Sequence, residues 1–361
     1  MKKKLKRIFN NLYPFIVSKK TKKKINDIWD KTSDEDKKLI YDIYVKYNKK
    51  SKDLKSVLRL LKDIRYMKNK YGFKYEEYFM YGFRYKILYL RKTFIAGGDM
   101  KEYIAFLNPP MEKKVLRDKY FCYLNYKDYY KRDIIKLESE DDYKSFSSFI
   151  SKYKSFVVKP YNKAFGTGVR LINSVNYKDK KVLFNELLGD GSVVLEEVIV
   201  QDERMKVLHP GSVNTIRMIP FIKEDGEVII HFPFIKIGVN NSFVDNGGAG
   251  GILALIDEKT GKIITDGIDE VCNKYKYHPN SNIKLKGFQI PLWDEAVKLA
   301  KSLAPLNNKL KYIGWDFALS KDGWIIVEGN GATQFIAQQM ADGKGKKKEF
   351  ESLIGYKIKK K

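Results

Sequence analysis

Cysteine is nearly absent: Cys122 and Cys272 are the only two in 361 residues. Two such residues exclude a disulfide framework and a cysteine-rich zinc site, and a reducing, cytoplasmic compartment is the simplest expectation. The three histidines, His209, His231 and His278, are too scattered for a zinc site. A His209/Ser212 hydrolase pairing lacks the glycine elbow that exposes a nucleophilic serine. Long apolar runs are missing too. The apolar patch Ile8 to Val17 is broken by Asn10, Asn11 and Pro14, well short of the roughly 18 to 20 residues a spanning helix needs, so neither a transmembrane helix nor a signal peptide is expected. Acid is in the minority, with 44 Asp+Glu against 70 Lys+Arg and a formal charge of +26. What is present is the material of a core: 43% hydrophobic and 14% aromatic residues in a chain long enough for one large or two ordinary domains.

The positive charge belongs to the N-terminal part. Residues 1 to 100 hold 28 basic and 11 acidic side chains, a surplus of 17, and the other 261 residues carry only 9. Lys2, Lys3, Lys4, Lys6 and Arg7, then Lys19, Lys20, Lys22, Lys23 and Lys24, flank Leu5, Ile8, Phe9, Leu12, Phe15, Ile16 and Val17. This basic amphipathic pattern suits a solvated face, an anionic membrane surface or nucleic acid. Nucleic acid is the weakest of the three, because no helix-turn-helix, zinc or RNA-recognition signature accompanies the charge.

Apolar residues recur at helical spacing from about Asp34 to Lys70, which predicts two helices, one through Leu39, Ile40, Ile43 and Tyr44 and one through Leu54, Val57, Leu58, Leu61 and Ile64. Tyr71 to Leu107 is aromatic-rich and ambiguous. Asn108-Pro109-Pro110 punctuates it, which places a boundary near 110 between a basic, mostly helical region (1–110) and the rest (111–361). Glu112 to Tyr123 reads as a helix. Short strands follow over 156–159, 169–172, 193–200, 215–222, 228–236, 252–257, 315–319 and 324–328, with a helix over 291–306 opened by Pro291.

Three segments carry chemistry. In FVVKPYNKAFGTGVRLI (156–172) a strand delivers Lys159, and a loop with Gly166, Thr167 and Gly168 follows. Glycines let backbone N–H groups approach an anion, and a lysine on the adjoining strand supplies a point charge for phosphate; a glycine hairpin beside a chance lysine is the alternative. In VVLEEVIVQDER (193–204) an apolar strand suddenly carries Glu196 and Glu197, then Asp202 and Glu203, suiting either adenine and ribose or a solvated edge. GWDFALSKDGWIIVEGN (314–330) is the most informative, two strands joined at Lys321-Asp322-Gly323. With a three-residue loop and Gly323 in the left-handed region, Ser320 faces Trp324, Asp316 sits opposite Glu328, and Asn330 joins them on one face. Two carboxylates and an amide gathered there suit magnesium bound together with substrate phosphates. A two-residue loop would turn Asp316 to the other face.

Lys159 with its glycine loop, Glu196-Glu197-Val198-Ile199, and Asp316 with Glu328 and Asn330 stand in the order and rough spacing of the ATP-grasp superfamily. HPGSVNTIRMIPF (209–221), Lys236, VDNGGAGGILALID (244–257), HPNSNIKLKGFQIP (278–291) and YIGWDFAL with IIVEGN more narrowly resemble the sugar-transfer-associated ATP-grasp proteins linked with bacterial surface-polysaccharide synthesis, over roughly residues 70 to 350. The resemblance implies an α+β ATP-grasp fold, with two α+β lobes, about 150–200 and 201–350, sandwiching MgATP. It implies that Lys119 and Lys159 reach the nucleotide phosphates, that Val198 and Ile199 face adenine, that Glu203 meets the ribose, and that Asp316, Glu328 and Asn330 hold Mg2+. Gly314 stands where some members carry a phosphate-binding arginine, and Lys236 where related ligases often have arginine. Arg217 is then the candidate to stabilise the transferred phosphoryl group, since a planar fork matches its oxygens, with a strand arginine paired to a nearby acid as the alternative. Asn214, Asp245, Asn246, Gly250, Gly251 and His278 are candidate substrate contacts.

The implied activity is an ATP-dependent carboxylate-amine ligase acting through an acylphosphate, joining an amino acid and a sugar, with ATP and Mg2+ as cofactors. The implied partners are a small-molecule or lipid-linked sugar and an amino acid, with the basic segment placing the chain in the cytoplasm or at the inner membrane face. A phosphotransferase on the same fold, acting on a sugar hydroxyl, and a non-catalytic protein binding an anionic polymer or membrane are the alternatives.

Overall fold

The aromatic run after Tyr71 folds on itself. In the computed structural model, which describes residues 54–358 apart from 162–167, 246, 308 and 334 together with scattered positions between 23 and 38, the chain divides into one compact unit ending at Gly98 and a second from Asp99 onward. In the first unit, helices α1 (Leu54–Tyr71) and α2 (Tyr75–Met80) close over Ile64, Met67, Phe73, Tyr78, Tyr81, Phe83 and Phe94. Phe83 meets Phe73, Tyr78 and Phe94 edge to face at centroid distances of 4.8, 5.8 and 5.2 Å, the arrangement aromatic quadrupoles favour. The second of the two helices expected between Asp34 and Lys70 is α1. The first, through Leu39, Ile40, Ile43 and Tyr44, and the basic segment 1–22 lie outside the described residues. Among the described residues, no helix is long and apolar enough to cross a membrane.

The second unit mixes helices with antiparallel sheets and has the expected α+β character. A four-stranded sheet, in the order β1-β4-β2-β3, is built from β1 (Ile134–Leu137), β2 (Ser155–Pro160), β3 (Arg170–Asn173) and β4 (Val193–Glu197). Helices Tyr143–Lys152 and Lys180–Gly189 cover one of its faces, burying Phe146, Phe149, Ile150, Leu183, Phe184 and Leu187. A seven-stranded sheet uses β5 (Thr215–Met218), β8 (Phe234–Ile237), β9 (Ile252–Leu255), β10 (Gly267–Ile268), β11 (Lys274–Tyr275), β12 (Gly314–Ser320) and β13 (Gly323–Asn330), in the order β11-β10-β9-β8-β5-β12-β13. β6 (Pro220–Ile222) and β7 (Val228–Ile230) pair separately. The runs expected as single strands over 215–222 and 228–236 are therefore each divided. The second break falls beside Phe232, at φ 45° and immediately before Pro233. The helix expected over 291–306 spans Trp293–Leu303 and buries Trp293, Ala296, Ala300 and Leu303.

Three expectations need correction. The break near 110 falls inside the second unit, because Asn108 is a buried tie: its amide donates to the carbonyls of Tyr312 (2.7 Å) and Gly331 (2.9 Å), and its carbonyl oxygen accepts from the Tyr312 N–H (3.1 Å). The helix over Glu112–Tyr123 is broken at Asp118, whose carboxylate accepts from the Phe121 N–H at 2.8 Å and starts a new helix at Lys119. The β12–β13 loop is two residues long, with Ser320 paired to Gly323 and Leu319 to Trp324. Gly323 does take a positive φ, 96°. One extra residue, Val327, then bulges out of β13 between Ile326, opposite Phe317, and Glu328, opposite Asp316. The bulge undoes the effect of the shorter loop and returns Asp316 to the face of Glu328.

Replacing Asn108 with Ala removes three hydrogen bonds and leaves buried backbone groups unpaired. Urea unfolding should show a loss of about 2–3 kcal/mol; an unchanged midpoint would show that the tie contributes nothing.

Candidate active site

Strand register gathers the polar side chains of the seven-stranded sheet. Arg217 lies opposite Asp316, Thr215 opposite Lys236, Asp316 opposite Glu328, and Asn330 two residues beyond Glu328. Because side chains alternate with period 2, all of these share one face of β8-β5-β12-β13.

Asp316 is the centre, 1% exposed. Arg217 grips it as a fork, Nε donating to Oδ1 at 2.5 Å and Nη2 to Oδ2 at 2.8 Å, and Lys236 Nζ donates to Oδ2 at 3.0 Å. Burial alone would raise its pKa, but the two cations hold it well below the ordinary carboxylate range. Lys236 Nζ also stands 3.9 Å from Asp245, which accepts from the backbone N–H of Thr215 at 3.0 Å and from its hydroxyl. Burial raises the pKa of Asp245. Burial and then the charge of Asp316 raise that of Glu328, to which the Asn330 amide donates at 3.3 Å.

Gly314 explains where an arginine cannot go. A Cβ there would lie 2.0 Å from the Thr333 hydroxyl and 2.9 Å from Arg217 Cδ, so the Arg217 side chain already fills that space. Arg217 thus brings a guanidinium from β5 to the place a residue at 314 on β12 would occupy.

The four-stranded sheet supplies a second cluster. Glu196 lies opposite Val157, which puts it on the face of Lys159. Its buried carboxylate takes Lys159 Nζ at 2.8 Å and the Arg132 fork at 2.7 and 3.1 Å. Burial would raise its pKa, but Lys159 and Arg132 lower it. Arg132 also reaches the other sheet, donating to the carbonyls of Ile326 (2.5 Å) and Val327 (3.3 Å), the two residues at the bulge that sets Glu328. Lys119 Nζ donates to the carbonyls of Pro160 (3.2 Å) and Tyr161 (3.3 Å), and burial lowers its pKa. Val198 and Ile199 are half-buried and leave β4 for the second sheet, which the chain meets where Lys321 N–H donates to Val200 at 3.0 Å.

The structure thus brings together Lys159 with Glu196, and Arg217, Lys236, Asp245, Asp316, Glu328 and Asn330. Other candidates are employed in the protein's own framework. His278 is buried, with Nε2 on the Gly238 carbonyl at 2.8 Å and Nδ1 on Ser281, and so holds a loop and presents no free nitrogen to a substrate. Asn214 is fully buried, its amide on the carbonyls of Met205 and His209. Glu196 serves the ion pair described above, and Glu197 accepts from the Asp133 N–H. Glu203 is exposed and pairs with Lys206. Gly168, at φ 77°, precedes β3, and Gly250, at φ 87°, and Gly251 precede β9. Gly166, Thr167 and Asn246 lie outside the described residues.

Arg132 was not legible as a site residue, yet a signal exists. Only ten arginines stand among the 70 basic residues, and of the eight whose side chains are described six, Arg65, Arg91, Arg132, Arg170, Arg204 and Arg217, meet a carboxylate. In a lysine-rich chain, arginine marks the places that need a fork.

Asp316, Glu328 and Asn330 form an oxygen donor set of two carboxylates and an amide. Among the described residues, no group of three or more His, Cys, Asp or Glu could hold a metal ion. Donors of these types suit a hard cation such as Mg2+ completed by phosphate oxygens and water, and both Asp316 oxygens here already accept from Arg217 and Lys236.

Residues 99–353 match the family described as sugar-transfer associated ATP-grasp. No curated protein matches. Among solved structures, D-alanyl-alanine synthetase A from Vibrio cholerae O1 biovar eltor str. N16961 is 12% identical with a TM-score of 0.40, over 67% of this chain and 65% of that one. D-Alanine-D-Alanine ligase from Helicobacter pylori is 15% identical with a TM-score of 0.40, over 72% and 67%. N5-Carboxyaminoimidazole synthetase from Staphylococcus aureus, complexed with ADP, is 12% identical with a TM-score of 0.42, over 68% and 53%. The chain thus spans less than two thirds of the first and third of these.

Removing the Asp316 charge leaves Arg217 buried without its ion-pair partner and Lys236 with Asp245 alone, at 3.9 Å. Its folded pKa lies below the unfolded one, so Asp316 contributes stability above the unfolded value, and the contribution fades only as pH falls toward the folded one. At neutral pH, Asp316→Asn should cost about 3–5 kcal/mol in urea unfolding. Glu328→Gln, which relieves repulsion, should cost far less. Equal losses would overturn the asymmetry.

Proposed function

Because the chain belongs to the sugar-transfer associated ATP-grasp family, we propose that it is an ATP-dependent carboxylate-amine ligase that joins an amino acid and a sugar in bacterial surface-polysaccharide synthesis, working in the cytoplasm. The observation that carries this reading is the shared face of Arg217, Lys236, Asp316, Glu328 and Asn330. It offers both a cation-binding oxygen set and a guanidinium beside it.

In this reading Lys159 and Lys119 hold the nucleotide phosphates, and Val198-Ile199, on the link between the sheets, faces adenine. A substrate carboxylate oxygen attacks the γ-phosphorus and ADP departs. The amine of the second substrate then attacks the acyl carbon, losing a proton as inorganic phosphate leaves, and an amide results. Arg217 spends Nε and Nη2 on Asp316, which fixes the plane of the guanidinium. Its Nη1, without a hydrogen bond among the described residues, is left for a phosphoryl oxygen as charge develops there. Lys236 balances Asp316 and Asp245. Asp316, Glu328 and Asn330 would hold Mg2+, which supplies charge neutralisation for the phosphates when bound.

Incubation with ATP, Mg2+ and a pool of amino acids and nucleotide sugars, read by mass spectrometry, should give ADP and a product heavier than one substrate by the second less water. A phosphorylated sugar would replace this reading with a phosphotransferase, and ATP left intact with every pool would refute it. Arg217→Lys keeps the charge and loses the fork, so kcat should fall about 100-fold while ATP affinity changes little. Normal turnover would remove Arg217 from the chemistry.

A further inference from the structure

Residues 84–92, RYKILYLRK, form an exposed knuckle of two short helical turns on the first unit. Tyr85, Ile87 and Tyr89 are 77, 69 and 75% exposed, and Leu88 and Leu90 are also exposed. Five large apolar side chains turned outward within six positions exceed the scattered apolar exposure of an ordinary surface. They are not held loosely. The Lys86 N–H donates to Phe83 O at 3.0 Å, Arg91 N–H to Ile87 O and Lys92 N–H to Leu88 O, each at 3.1 Å. Beneath the knuckle Phe83 and Phe94 are buried, and the Arg91 guanidinium grips Asp63 at 2.6 and 2.7 Å and the Lys86 carbonyl at 2.7 Å. The fold thus fastens the base of the knuckle and leaves its apolar tip in water.

Within the segment's own sequence the charge has one sign. From Tyr78 to Gly98 the sequence has no Asp or Glu, while Arg84, Lys86, Arg91 and Lys92 lie within or beside the tip. Arg84 and Lys92 are exposed. We propose that this knuckle docks on an anionic lipid bilayer, Ile87 entering the interfacial layer between Tyr85 and Tyr89 while Arg84 and Lys92 meet the headgroups. Tyrosine suits that layer, being apolar with a polar tip, and cations beside it suit anionic lipid. A second copy of the same knuckle fits less well, since it would set like charges against each other. The proposal concerns the first unit and does not rest on the ligase reading.

The test uses the full chain with phosphatidylcholine vesicles, with and without phosphatidylglycerol. Ile87→Trp should give a blue-shifted emission and quenching by brominated acyl chains only on the anionic vesicles, the unsubstituted chain serving as the blank. Tyr85→Ser with Ile87→Ser and Tyr89→Ser should lower partitioning about 10-fold or more, and Arg84→Gln with Lys92→Gln should weaken binding and its salt dependence. Circular dichroism checks that the serine variant folds; if it does not, the Ile87→Trp variant still decides. Wild-type partitioning of the serine variant, or an introduced indole that stays unquenched on vesicles that bind the chain, would overturn the proposal and leave the basic residues near the N-terminus as the attachment. A lipid-independent dimer abolished by the serine changes would overturn it in favour of self-association.

Discussion

A buried carboxylate cannot stay charged alone, and Asp316 makes that constraint the organising fact of the second unit. At 1% exposure it needs compensation from both sides, which it obtains from Arg217 on the next strand and Lys236 on the strand beyond. Those demands fix the register of β8, β5 and β12 together, since a slip of one residue would turn any of the three side chains to the opposite face. Gly314 belongs to the same arrangement: it is small because Arg217 lies across it.

Much of this was legible in the sequence and some was not, for reasons that can be located. The GWD and VEGN segments disclosed the pairing of Asp316 with Glu328, and the alternation of strands placed Asn330 with them. The route to that pairing differs from the expected one. A three-residue loop gives the same answer as a two-residue loop followed by a bulge, and nothing in IIVEGN marks Val327 as the extra residue. A bulge is a tertiary decision, here supported by the Arg132 bonds to Ile326 and Val327.

Arg217 shows the opposite case. Its sequence context points to phosphate or to a nearby acid, and its geometry shows the pairing with Asp316 through Nε and Nη2. His278 and Asn214 were candidate substrate contacts through the family resemblance, although His278-Pro279 also reads as a loop former. Here both are buried and spend their side chains on backbone carbonyls of the protein's own loops. Asn108 misled in a similar way. Asn-Pro-Pro reads as punctuation from composition, and only the distant carbonyls of Tyr312 and Gly331 reveal it as a tie.

Arg132 has a mechanical consequence. One guanidinium holds Glu196 of the four-stranded sheet and the bulge carbonyls of the seven-stranded sheet at once. Its grip lies at the end of β4, close to the link where the chain passes from one sheet to the other. Any opening of the two sheets that keeps those bonds must therefore turn about Arg132, as a door turns about its hinge pin. Displacement then grows with distance from that point, leaving Lys159 and Glu328 to move least.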